Sequence, residues 1–256
     1  MPLSTTHFTN HPEMCIILQS TNDGRVMVPD PLLQQEVLAM LLRETNPVFW
    51  STLMQRKRWA YSEAFESVDK DARILPGQKK AKLLDERFYL SERALHDAAV
   101  TAGAVSSGQK IAINNWVYTI ARVGSVSIIQ SYVPSQIDFA RPAKFREQHA
   151  ALNNFLSRPQ LALGDVSPEI FDISNIAGII IHGPRGRPFT EAFQRLEFLN
   201  FCVPSEDYKR WEINLPVPEI LAAFDAVPVA RPEQRDIANP KPRDRDQEKK
   251  DGEQKG

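Results

Sequence analysis

Apolar positions along the chain follow two regimes. Between Pro31 and about Gly103 they recur at three- and four-residue spacing, whereas from Ile111 to about Val203 they alternate or gather in short runs. The first regime predicts helices. Asp30-Pro31 pairs a capping carboxylate with a proline suited to the first helical position, and Leu33, Val37, Leu38, Leu41 and Leu42 then share a face. Asn46-Pro47 repeats the device. Phe49, Trp50, Leu53, Met54, Ala60, Tyr61, Ala64 and Phe65 continue at helical spacing, with Arg56, Lys57 and Arg58 expected together on the outside. A linker over 68–78 centres on Pro76-Gly77. A third helix over 79–102 is expected to bury Leu84, Phe88, Leu95 and Ala99, with Gly103 ending it.

The second regime predicts strands. Residues 111–133 read as a hairpin turning at Gly124-Ser125; Ile113, Trp116, Val117 and Ile120 also match a helix, but β-branched and aromatic residues dominate and favour strands. Further on, 143–156 reads as an amphipathic helix, Ile179 to Ile181 as a buried strand, 192–203 as strand or helix, 208–213 as a strand and 218–224 as a short helix. Near the N-terminus, MCIILQ and RVMVP flank Asn22-Asp23-Gly24, residues that tolerate positive φ, which predicts one more hairpin. The whole describes an α+β fold: an N-terminal β-hairpin, a three-helix section, and a C-terminal mixed or antiparallel β-rich section. One domain over 13–227 is expected, the helical section 31–103 being a subdomain or an insertion covering a sheet. Residues 228–256 carry prolines and charges of alternating sign but no aromatic residue, so they are expected to form a disordered tail.

Composition narrows the classes of function. With 256 residues, 42% hydrophobic and 25% charged, the chain has ordinary globular content, and a net charge of -1 provides no global field toward nucleic acid or membrane. The two cysteines, Cys15 and Cys202, lie in apolar segments and are expected to be buried, reduced thiols. The opening residues lack a basic stretch followed by an apolar one, and no apolar run approaches the roughly 18 residues of a membrane helix, so a cytoplasmic protein without membrane association is expected.

Candidate chemistry is dispersed. Ile179 to Thr190 resembles the strand and phosphate-binding loop of ATPases, down to GPxG and a final threonine. It departs where the phosphates would be held: Phe189 stands in place of the lysine, and Pro188, which has no N–H, in place of a glycine. What the loop retains is Arg185 and Arg187, whose planar forks suit phosphate. A second basic group comprises Arg56, Lys57 and Arg58 with Lys79, Lys80 and Lys82, near Arg87 and the aromatic Trp50, Trp59 and Tyr61. The segment 94–117 has a helix-turn-helix flavour, with a longer turn than that motif uses. His96-Asp97 and the His7/His11 pair lack further ligands, so neither a metal nor another cofactor is expected. Cys202 and His182 would form a thiolate pair if their segments met on one side.

These features lead first to a non-enzymatic DNA- or RNA-associated or regulatory protein using Arg56, Lys57, Arg58, Lys79, Lys80, Lys82, Arg185 and Arg187. A protein-interaction or assembly module anchored by Trp50, Trp59 and Trp116 is the alternative. A hydrolase or nuclease centred on His182 is the third reading, and it requires His182 at the wall of a cleft.

Overall fold

The computed structural model describes residues 19–20, 26–27, 30–111, 115–157 and 175–226. The expected disordered tail and Cys15 therefore lie outside the described residues. Near the N-terminus a two-residue antiparallel pair joins β1, Gln19–Ser20, to β2, Val26–Met27, while the Asn22-Asp23-Gly24 turn between them is outside the described residues. This pair does not extend the main sheet, every strand of which comes from Val105 onward. The expected N-terminal hairpin is thus not a component of the sheet: the stretch from Pro31 to Thr101 that follows it is spent on three helices, and the β content is C-terminal.

Helix α1, Pro31–Glu44, begins at Asp30, whose carboxylate accepts from the Leu32 N–H at 2.9 Å. Helix α2, Pro47–Lys70, begins at Asn46, which accepts from the Phe49 N–H at 2.9 Å while its amide donates to the Ala102 carbonyl at the far end of the next helix. Both caps satisfy N–H groups that the first helical turn leaves without partners. Helix α3, Lys79–Thr101, ends at Gly103, whose φ of 72° lets the chain reverse. The buried face of α3 carries Leu83, Arg87, Ser91, Ala94, Leu95, Ala98 and Ala99. That is rotated from the expected face: Leu84 is exposed, and Arg87 takes the inward position.

The chain then builds a six-stranded sheet in sequence order: β3 Val105–Lys110, β4 Val117–Val123, β5 Val126–Tyr132, β6 Ile176–Pro184, β7 Leu196–Pro204 and β8 Trp211–Pro216. All neighbours are antiparallel except β5 and β6, which run parallel from Val126↔Ile176 to Tyr132↔His182. The crossover between them includes α4, Lys144–Ala150, and a 3-10 segment, Ala151–Ser157. A four-residue helix, α5 Glu191–Gln194, lies between β6 and β7, and α6, Val217–Ala226, follows β8. The hairpin at Gly124-Ser125 forms as expected, with Gly124 at φ 58°. The helix-turn-helix reading does not survive, because 105–110 is a strand: β3 needs the residues that a second helix would have used.

Each face of the sheet has its own core. On one side α1, α2, α3 and α6 bury Val37, Leu41, Trp50 and Leu95 against Ala121, Ile128, Ile180, Phe201 and Ile213. On the other, the crossover covers Ile129, Ile179, Ile181, Cys202 and Trp211. Strand β6 is buried along all nine residues, which is why its sequence reads as an unbroken apolar run instead of alternating. Asn153 fastens the crossover to the sheet: its side chain bonds to the N–H and C=O of Ala177 and to the Pro204 carbonyl.

Candidate functional site

One junction in the sheet is incomplete. Strands β4 and β5 pair over three residues only, Val123↔Val126, Arg122↔Ser127 and Ala121↔Ile128. Continued in register, Thr119 would face Gln130. Instead the Thr119 N–H donates to Glu92 Oε2 at 2.5 Å, and the Gln130 side-chain amide donates to Glu92 Oε1 at 2.5 Å. A carboxylate from α3 thus stands where the ladder would have continued, and the strands part.

Around Glu92 the helix-facing side of the sheet holds a continuous polar network inside an otherwise apolar layer. Lys57 Nζ donates to Gln130 Oε1 at 2.9 Å, His182 Nε2 bonds to the same oxygen, and Tyr61 OH bonds to His182 Nδ1 at 2.8 Å. A lysine ammonium only donates, so Gln130 Oε1 is the acceptor and the amide orientation follows. His182 Nε2 then carries the proton, and Nδ1 accepts from Tyr61; tautomer and amide orientation are both assigned from the network. Burial, with Lys57 and Arg87 adding like charge, holds His182 well below its usual range, which fits the neutral ring. Burial also lowers the Lys57 amine to about 7 against the opposing pull of Glu92. The Glu92 carboxyl is raised, chiefly by burial.

Two cavities flank this network. The inner one, about 230 Å³, is lined by Gln130, Tyr132, His182, Arg87, Arg146 and Trp116, among others. The outer one, about 420 Å³, includes Lys80, Arg87, Tyr132, Asp138, Arg187 and Gln194 in its wall. Leu84, Arg87 and Tyr132 belong to both, so the two adjoin. Arg87 is 3% exposed. One terminal nitrogen donates to the Gln194 carbonyl and side chain at 2.6 and 2.8 Å, and its guanidinium lies over the Tyr61 ring at 4.6 Å, yet its Nε is buried without a hydrogen-bond partner. Arg146 of α4 donates to the Arg141 carbonyl, and its Nε is likewise unpartnered. Neither arginine forms an ion pair among the described residues.

The residues expected to form a basic surface are distributed otherwise. Lys57 is fully buried, which corrects its expected place beside Arg56 and Arg58 on the outside. Its position was in fact legible: Lys57 is four residues after Leu53 and four before Tyr61, in the middle of the apolar face of α2. Arg56 pairs with Asp97 at 3.6 Å, Lys79 with Asp69 at 3.2 Å and Lys82 with Glu86 at 3.7 Å, while Arg58 lines a separate groove with Glu197. Lys80 and Arg187 meet at the outer cavity, and Arg185 is exposed on the same loop, which Gln194 ties down through the Gly186 and Pro188 carbonyls. Phe189, in the position of the ATPase lysine, packs on Phe65.

Cys202 and His182 are not brought together. Their strands are neighbours, but Cys202 faces the crossover side and His182 the helices. Burial raises the Cys202 thiol well above its usual range. Trp50 is buried, donating from Nε1 to Thr45 Oγ1 at 2.7 Å, so it is no surface anchor. Trp59 is half-buried beneath Arg93, and Trp116 stacks on Phe88 in the inner cavity wall. His96 bonds to Ser106, and no cluster of three or more metal-ligating side chains occurs among the described residues. No described helix is long and apolar enough to cross a membrane. Glu92, Gln130, Tyr132 and Arg146 were not anticipated, and Tyr61 was expected only as an aromatic residue beside the basic group, because only the fold brings them beside His182.

No protein-family model, curated protein or solved structure matches the chain.

Proposed function

We propose that the cleft where β4 and β5 part binds a small organic anion, with Arg87 as its main anchor and Arg146 as a second. The observation that carries this reading is a guanidinium 3% exposed, without a carboxylate partner among the described residues, on a residue that lines the cavity and whose Nε is a buried donor without a hydrogen-bond partner. Arginine does not relieve such a position by losing its proton. A buried charge without a counter-charge is costly, and contact with the Tyr61 ring offsets only part of that cost. A bound anion supplies both the missing charge and an acceptor.

The role of the network is to hold the wall of the site rigid and neutral at its centre. Gln130 and His182, both lining the inner cavity, are fixed from behind by Lys57, Glu92 and Tyr61. Neither histidine nitrogen is left without a partner, which favours a binding role over a hydrolytic one. The nucleic-acid-associated role expected from the basic residues keeps one supporting observation: Lys80 and Arg187, drawn from the two basic stretches, converge on the outer cavity. It supports a phosphate at one point more than a long basic track, because Lys57 is buried and Arg56, Lys79 and Lys82 are paired with acids.

Calorimetry and thermal-shift measurements with a panel of carboxylates and phosphate esters test the reading. Binding by one class, abolished in a folded Arg87→Gln variant, is the expected result. Absence of binding across the panel at millimolar ligand refutes it.

A further inference from the structure

Resting on the anion-binding reading, we infer that the ligand is a phosphate monoester carried on a planar ring, with the phosphate in the outer cavity and the ring in the inner one.

The outer cavity brings three cationic side chains from separate places: Lys80 from the first turn of α3, Arg87 two turns further along, and Arg187 from the loop after β6. Asp138 is the one carboxylate in that wall. Three cations against one acid leave an excess that a single carboxylate does not match, whereas a phosphate monoester carries close to two charges near neutrality and three acceptor oxygens. Lys80 and Arg187 are exposed, so they meet the ligand at the mouth, while Arg87 meets it at depth.

The inner cavity has a different character. Leu84, Phe88, Trp116 and Tyr132 supply apolar and aromatic wall, and Phe88 and Trp116 already stand 4.7 Å apart as a tilted ring pair. Such a surface receives a flat ring by stacking. Asp85 and Arg146 add a carboxylate and a guanidinium to its lining, suited to a ring that carries heteroatoms. Arg87 lies at the boundary, where a link between ring and phosphate would pass.

The full chain is titrated calorimetrically with adenosine monophosphate, adenosine, ribose 5-phosphate and benzoate as probes. The monophosphate is expected to bind at least about ten-fold more tightly than either fragment, as joined subsites require. Lys80→Ala and Arg187→Ala, both at exposed positions, are expected to weaken the monophosphate about ten-fold while leaving adenosine unchanged. Trp116→Leu should weaken monophosphate and adenosine together and leave ribose 5-phosphate unaffected. Benzoate binding without binding of either phosphate ester overturns this inference and leaves the anion-binding reading standing. Absence of binding by all four probes overturns it as well, and if the wider carboxylate and phosphate panel is also silent the anion reading falls with it. Monophosphate affinity indifferent to both Lys80 and Arg187 overturns the placement of the phosphate.

Discussion

Replacing Lys57 by methionine should change how stability depends on pH. Lys57 is fully buried, and its amine titrates at about 7 in place of 10.5. Between those values the unfolded chain still holds a proton that the folded chain has released. The unfolded state therefore binds more protons, and folding becomes more favourable as the pH rises. The full shift corresponds to about 5 kcal/mol, of which about 2 kcal/mol develops between about pH 7 and about pH 9. Methionine keeps the apolar stem and removes the titration. Below about pH 7, where Lys57 is still charged, methionine also removes the cation that opposes the burial of Glu92 and so raises that carboxyl further, and both effects make wild-type stability minus variant stability rise with pH. Urea denaturation of wild type and Lys57→Met across this window measures it, with the double variant Lys57→Met/Glu92→Gln removing the carboxyl's part. A wild-type-minus-variant difference in unfolding free energy that stays flat or falls as the pH rises refutes the reading of Lys57 as a buried amine that gives up its proton in the fold.

Three further outcomes follow from packing and burial. Gly178→Ala should destabilise by about 3 kcal/mol or more, read by thermal or chemical unfolding, because a Cβ there would sit 2.0 Å from the Phe201 ring in a fully buried layer. Asn153→Ala should cost about 3 kcal/mol, since it strips three hydrogen bonds from buried backbone of Ala177 and Pro204; an unfolding midpoint close to wild type would show that the crossover is fastened elsewhere. In a Cys15→Ser background, Cys202 should resist Ellman's reagent in the native protein and react fully in denaturant, its thiol being buried and held protonated; fast native labelling would contradict its placement.

The helices were legible because their signals are local. Asp30-Pro31, Asn46-Pro47 and Gly103 mark ends whose chemistry lies within a few residues, and the apolar spacing between them sets the buried face. The same spacing is misleading when a charged residue occupies it: Lys57 and Arg87 hold inward positions that composition alone assigns to solvent. Residue type was weighed above position there, and position prevailed because each found a partner inside, Lys57 at Gln130 on the sheet and Arg87 at Gln194 of α5. Strand β3 was not anticipated, since Val105–Lys110 is exposed at nearly every residue and carries no alternation to read. The site could not be assembled in advance, because Lys57 and Gln130 are separated by 73 residues and Tyr61 and His182 by 121. His182, Lys57, Lys80 and Arg187 were each singled out for separate reasons, and only the fold sets His182 beside Gln130 and Arg87 in one cavity wall.

The short pairing between β4 and β5 has a mechanical meaning. Three residue pairs hold that seam, against five to seven at every other junction of the sheet. Past those three pairs the β3–β4 ribbon is held by α3 instead of by β5: the Thr119 N–H and hydroxyl both donate to Glu92, so the helix carries the load that ladder bonds carry at the other strand boundaries. Trp116 lies just before β4, at the end of the ribbon away from the Gly124-Ser125 corner, where its ring packs on Phe88 and Tyr89 of α3, so the wall of the inner cavity is set by the helix as much as by the sheet.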